Sequence, residues 1–245
     1  MPDNKKILFL THTKESLDYI SRSSRSTKSI PQRNNPLQHA NFISSRIQEC
    51  HNESIRQTSH LTQEQIAAIH YKDGMYLEFS GAQNYDLAVK SLENISSGIR
   101  LLNVKTENDT IKATVYVPSG KESIFLNKVQ AYADSSLSGD RLKNNDLISS
   151  IENIKLAILE SFWIGKYEDI PQDSVSAWCE IWLRHDSKFI KEDVIRSFTD
   201  QCAILQIVVQ NDSIVFPERV VVLIRANRNQ LKKLISTCAY IAEIR

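Results

Sequence analysis

Glycine is scarce and scattered. The chain of 245 residues holds six, each standing alone, so no run of glycines forms a phosphate-cradling loop ahead of a helix. Cysteine is as sparse: Cys50, Cys179, Cys202 and Cys238 lie far apart, and no pair has metal-ligand or redox spacing. Three of them fall on the apolar faces of predicted elements, where a thiol acts as a small hydrophobe, and a reducing compartment follows. Charge of one sign is missing too. The formal net charge is +1, which gives no global pull toward nucleic acid or anionic membrane. No apolar run nears the roughly 20 residues of a membrane helix. Residues 7–10 are apolar and follow Lys5 and Lys6, but they are too few for the core of a signal peptide, about 7–15 residues. The expected location is the cytoplasm.

Catalytic patterns are absent as well. There is no G-x-S-x-G, no histidine followed by glycine and no glycine followed by threonine. Of the six histidines, His12, His39, His51, His60 and His70 precede residue 71, and only His185 follows. Cys50 next to His51 invites a nucleophile–base reading, yet neighbours along a helix point in different directions. His60 and His70 lack the cysteine partners and short spacings of a zinc site. Glu192 and Asp193 sit where a helix begins, where its dipole favours them structurally. The chain is expected to be non-catalytic and to need no cofactor.

What is present is a pattern of strands and helices. Residues 16–35 are polar and rich in Ser and Arg, a composition that suits a linker. Their cations lack aromatic partners for base stacking, so nucleic acid is not the expected partner. Asn35-Pro36 offers a cap and a first helical position. Ala40, Ile43, Ile47 and Cys50 then recur at three-four spacing and predict a helix with one narrow apolar stripe. A second helical piece is expected over 61–69.

From Met75 the order is strand (Met75, Leu77 and Phe79 alternating with Tyr76 and Glu78), then a helix carrying Tyr85, Ala88, Leu92 and Ile95 and ended by Gly98. Strands over 99–104 and 111–117 follow, with a turn at Glu107-Asn108-Asp109, then a helix with Phe125, Val129 and Tyr132. Residues 134–144 read as loop. A strong helix is expected from Asn145 or Asp146 through Leu147, Ile151, Ile154 and Ile158, with no clear fourth strand. Residues 165–174 read as a linker.

The second half is cleaner. Residues 176–184 alternate Ala177, Cys179, Ile181 and Leu183 against Trp178, Glu180, Trp182 and Arg184. A helix over 186–202, strands over 204–209 and 214–225 about Asn211-Asp212, a helix capped by Asn227, and a short run over 240–244 complete the order. Pro217 forces a break or an edge position in the second strand. The fold expected is α+β: two tandem ferredoxin-like (βαββα-type) modules behind a helical N-terminal segment. The divisions are 1–70, 71–164 (with an extra helix) and 174–245. Modules of about 65 residues are marginal alone, so the parts are expected to pack together.

Several stretches carry a resemblance. Gly74-Met75-Tyr76-Leu77-Glu78-Phe79, Leu87-Ala88-Val89-Lys90-Ser91-Leu92-Glu93 and Gly98-Ile99-Arg100-Leu101-Leu102-Asn103-Val104 resemble the N-terminal region of a bacterial group of subtilisin-like serine peptidases. So do Ala113-Thr114-Val115-Tyr116-Val117-Pro118, Ala157-Ile158-Leu159-Glu160-Ser161-Phe162-Trp163, and Phe216-Pro217-Glu218-Arg219-Val220-Val221-Val222-Leu223. The family's catalytic motifs D-[ST]-G, H-G-T and G-T-S-x-[AS] have no counterpart here. The resemblance implies a prodomain-like or regulatory region without its protease. In subtilases such a module assists folding and inhibits the enzyme: its sheet packs on the peptidase and its last strand runs toward the substrate cleft by strand addition. It implies a subtilisin-like catalytic domain as partner. It also implies, since these peptidases are often encoded beside one, an AAA-type ATPase, for which a stand-alone adaptor role is the alternative. The partner-binding candidates are Trp178 and Trp182, which would mark an interface if exposed, and, by the resemblance, the tail Tyr240, Ile241, Ala242, Glu243, Ile244 and Arg245.

Overall fold

A computed structural model describes residues 29–58, 73–139, 141–185 and 191–245. The apolar residues 7–10 and the helix expected over 61–69 lie outside these. The described residues form a mixed α+β protein with two four-stranded antiparallel sheets. Six α-helices accompany them.

Helix α1 (Pro36–Thr58) begins where Asn35 caps it, the Asn35 carboxamide oxygen accepting the Gln38 N–H at 3.0 Å. Its stripe of Ala40, Ile43, Ile47 and Cys50 is fully buried. The first sheet contains β1 (Gly74–Gly81), β2 (Arg100–Glu107), β3 (Thr110–Pro118) and β4 (Ile151–Leu156), ordered β2-β3-β1-β4. The β2–β3 turn falls on Asn108 and Asp109, both left-handed, the geometry that matches hairpin twist. At the start of β1, Gly74 has φ +146°, and a Cβ there would collide with the Val117 carbonyl oxygen, so only glycine fits. Helix α2 (Ser123–Ser138) lies with α1 over one face of this sheet, burying Phe125, Val129 and Tyr132 against Leu77, Phe79, Val115 and Ile154.

Two expectations fail in this half. The stripe Tyr85–Ala88–Leu92–Ile95 does not form a helix; residues Val89–Leu92 and Ile95–Ser97 make two 3₁₀ turns, and Tyr85 and Ile95 stay exposed. Of the four, Leu92 is buried and Ala88 packs against the core, and the short turns place both without a full helix. The expected long helix from 145 is only α3 (Asn145–Ser150), followed by β4, the fourth strand the sequence hid. The register slips beside β1, from Ser80↔Asn153 to Gly81↔Ile151. This bulge turns Ile151 and Ile154 to the same face, and three-residue spacing then imitates a helix. Helix α2 also runs through residues 134–138, read as loop.

The second sheet contains β5 (Ala177–Arg184), β6 (Val208–Val215), β7 (Arg219–Ala226) and β8 (Ile241–Ile244), ordered β6-β7-β5-β8. Helices α5 (Lys191–Ile204) and α6 (Arg228–Thr237) cover one face, with Val194, Phe198, Cys202, Leu231 and Leu234 packed on Cys179, Ile181, Leu183 and Val222. Asn227 and Gln230 exchange side-chain-to-backbone bonds at 2.9 and 3.0 Å, a capping box for α6. The turn between the middle strands is not at Asn211-Asp212. Those residues lie in a register shift of β6, and the chain reverses at 216–218, where Pro217 removes a donor the ladder does not need. Residues 204–207 are not strand either: α5 reaches Ile204, and Gln206 in the left-handed region leads out of it.

The two sheets share a core. Tyr76, Leu102, Tyr116, Phe162 and Trp163, on the side of the first sheet away from α1, belong to the same buried cluster as the interior of the second. Phe162 ends helix α4 (Leu159–Phe162). Tyr76 Oη donates to the Cys238 carbonyl at 2.7 Å, Asn103 Nδ2 to the Ala242 carbonyl at 2.8 Å, and the Ile164 N–H to the Ile244 carbonyl at 2.8 Å. β1 is therefore buried on both faces, although its sequence alternates.

Candidate docking face on the second sheet

Alternation along β5 puts Cys179, Ile181 and Leu183 inside and Trp178, Glu180 and Trp182 outside. Cross-strand partners share a face. Trp178 pairs with Arg225, Glu180 with Leu223, Trp182 with Val221 and with Glu243, and Val221 with Ile214. Trp178 is 50% exposed and Ile214 62%. The helices α5 and α6 pack on the opposite face, so among the described elements no helix covers this one.

Trp182 is half-buried within the face. The Phe216 ring stacks on it with centroids 5.5 Å apart and planes 9° off parallel, and the Arg245 guanidinium lies 4.4 Å from its ring centroid. Its indole N–H donates to Glu180 at 3.3 Å, while Arg245 pairs with Glu243 at 3.0 Å. Aromatic and guanidinium planes stacked in this way form a pre-ordered surface that loses little side-chain entropy on binding. The sequence reading found the two tryptophans and missed Phe216, Ile214 and Arg225. The period-two run leading into Phe216-Pro217 was the available signal.

The segment 240–245 is not a free tail. Ile241, Ala242 and Ile244 are buried in β8, and the Glu180 and Arg245 backbones exchange two hydrogen bonds of 2.8 and 3.0 Å. Tyr240 and Glu243 are half-buried, and only Arg245 is exposed. Of these six residues, Glu243 and Arg245 contribute to the outer face. The free edge of the sheet is β6, and three of its residues, 210–212, bulge opposite one residue of β7. Bulges of this kind blunt strand-to-strand pairing.

Several other polar groups are tied into the structure. Buried Glu78 accepts the Ser161 hydroxyl at 2.5 Å and faces Lys155 at 3.2 Å; Ser161 Oγ also accepts the Ile158 N–H at 3.1 Å. Cys50 and His51 diverge: the Cys50 thiol is buried and pushed up by that burial, and His51 faces Glu122 at 3.7 Å. Burial raises the Cys179 thiol to about 11 and Cys202 to about 12, so these sulfurs are poor nucleophiles. Among the described residues no group of three or more His, Cys, Asp or Glu is placed to hold a metal. No helix there is long and apolar enough to cross a membrane. No protein-family model matches the chain, and no curated protein matches it.

Proposed function

We propose that the protein is a prodomain-like or regulatory docking module for a subtilisin-like serine peptidase, acting as folding assistant, inhibitor or positioning element and not as a catalyst. Each sheet with its helices is read as a ferredoxin-like unit: both have the same strand order, that of the split βαβ pattern, with α1 standing in for the absent first crossover helix of the first unit. The observation that carries the functional reading is the open face of the second sheet. A sheet with one face packed and the other presenting Trp178, Trp182, Phe216 and Ile214 is built to be covered by a partner. The resemblance of the sequence blocks supports a subtilisin-like catalytic domain as the partner class.

Docking by the face replaces docking by a tail, because β8 is locked into the core. Glu180 and Glu243 balance Arg225 and Arg245 among the aromatics, so the face has no cation excess for a phosphate backbone and suits a protein surface. The alternative, a stand-alone adaptor for an AAA-type ATPase, would not use the apolar stripe of α1, which is buried within the fold.

The full chain is mixed with a subtilisin-like catalytic domain from the same organism, and peptidase activity and refolding yield are followed. A saturable change in either is expected. No change in activity, in refolding or in a binding titration overturns the reading.

A further inference from the structure

A second concavity lies where the two sheets meet, apart from the aromatic face. It is a crevice of about 370 Å³ whose polar lining consists of Arg100, Arg184, His185 and Arg219 with Glu93 and Glu218. The sheet registers assemble it. Arg184 ends β5 and Arg219 opens β7, and the two are direct cross-strand partners. Like charges in that position repel. Arg100, at the start of β2, brings a third guanidinium from the other sheet.

These cations are held in place. Arg184 is only 5% exposed; it donates to the Ala239 carbonyl at 3.3 Å and lies 4.7 Å from the Tyr116 ring centroid. Arg219 donates to the Leu102 carbonyl at 3.3 Å and the Glu218 carbonyl at 3.0 Å. A guanidinium has five donors in a rigid fork, so these structural bonds and a ligand are compatible. On the opposing side, Glu93 already accepts the Leu101 N–H at 3.4 Å. Three permanent cations and a histidine thus face two carboxylates, with Leu101 and Pro217 as apolar walls. Burial draws Arg219 below its ordinary range, with Arg184 adding repulsion against the opposing carboxylates. Arg184 is buried and Arg100 and Arg219 are half-buried, and guanidinium groups converging in this way offer charge-assisted donors to an anion.

We infer that the crevice between the sheets is a binding site for a small oxyanion, a phosphate or carboxylate group gripped by Arg100, Arg184 and Arg219. The inference does not rest on the peptidase reading and stands or falls without it. Binding ties β2 to the β6–β7 hairpin and so stiffens the junction of the two sheets.

The test uses the full chain and three probes at matched ionic strength: sodium phosphate, sodium acetate and sodium chloride, followed by calorimetric titration and melting temperature. Saturable binding and a rise in Tm with phosphate or acetate over chloride are expected, and the stronger of the two identifies the group. Arg219→Gln and Arg100→Gln should each weaken it about tenfold or more, while Arg225→Gln, on the open face, leaves it unchanged. Equal behaviour in all three salts overturns the inference. So does undiminished binding in both crevice variants.

Discussion

Tyr76 offers the sharpest test of how the chain is held together. It belongs to β1 of the first sheet, yet its ring lies in the core of the second. The ring meets Phe162 edge-on at 4.9 Å and Tyr116 at 5.5 Å, and the hydroxyl donates to the Cys238 carbonyl at 2.7 Å. Burial raises its pKa well above the ordinary value, so it remains a donor at any workable pH. Tyr76→Phe removes only the hydroxyl, at a cost of about 1–2 kcal/mol. Tyr76→Ala also empties the ring's volume, which for a buried aromatic costs roughly 3–5 kcal/mol, giving roughly 4–7 in all. For a chain of this length each kcal/mol lowers Tm by about 2–4 °C, so falls of roughly 2–8 °C and 8–28 °C are expected for Phe and Ala. Urea unfolding is followed by far-UV circular dichroism and by tryptophan fluorescence, since Trp163, Trp178 and Trp182 all report on the second sheet and its junction. Both signals should move together in one transition. If Tyr76→Ala shifts the dichroism while the fluorescence transition stays in place, the shared core is refuted.

Other consequences follow from single residues. Gly74→Ala forces a side chain into the Val117 carbonyl at φ +146° and should cost roughly 1–3 kcal/mol in urea unfolding; a loss within error would contradict the close approach. Asn227→Ala removes one half of the α6 capping box and should cost about 1 kcal/mol by the same measurement. Glu107 contacts Lys105, Lys112 and Tyr167, and although burial works against it, the bonds to Lys105, Lys112 and Tyr167 together hold its pKa at about 2 against an ordinary 4.5. Its folded pKa is depressed, so its stabilisation is complete above about pH 4.5 and is lost as pH falls toward 2. A Tm series over that window should show a step in the wild type that Glu107→Gln lacks; equal slopes in the two proteins would count against the cluster.

The sequence announced elements whose local signals and tertiary roles agree. Helix α1 was legible because a cap, a proline and an apolar stripe coincide, and the stripe is buried. β5 was legible because strict alternation separates Cys179, Ile181 and Leu183 from the tryptophans. β4 was hidden because a bulge replaces period two by a spacing of three between Ile151 and Ile154. The false helix around Tyr85–Ile95 shows the converse: the right spacing, but only Ala88 and Leu92 of the stripe meet the core, and short turns suffice to place them. At the docking face the tryptophans could be read from β5 alone. Phe216 and Ile214 were missed because placing the turn at Asn211-Asp212 assigned both to the following strand, whereas Ile214 lies in β6 and Phe216 in the turn after it. The oxyanion crevice was invisible for a different reason: Arg100, Arg184 and Arg219 are brought together only by sheet register and by the meeting of two sheets.

The most direct measurement is the affinity of the full chain for a subtilisin-like catalytic domain from the same organism, wild type against Trp178→Glu. Trp178 is half exposed and anchors no part of the core, so Tm should be unchanged. An anchor residue of this kind is worth about 2 kcal/mol or more at an interface, so the variant should bind roughly 30-fold more weakly. Equal affinities for the two proteins, or no affinity in the wild type, would contradict the account.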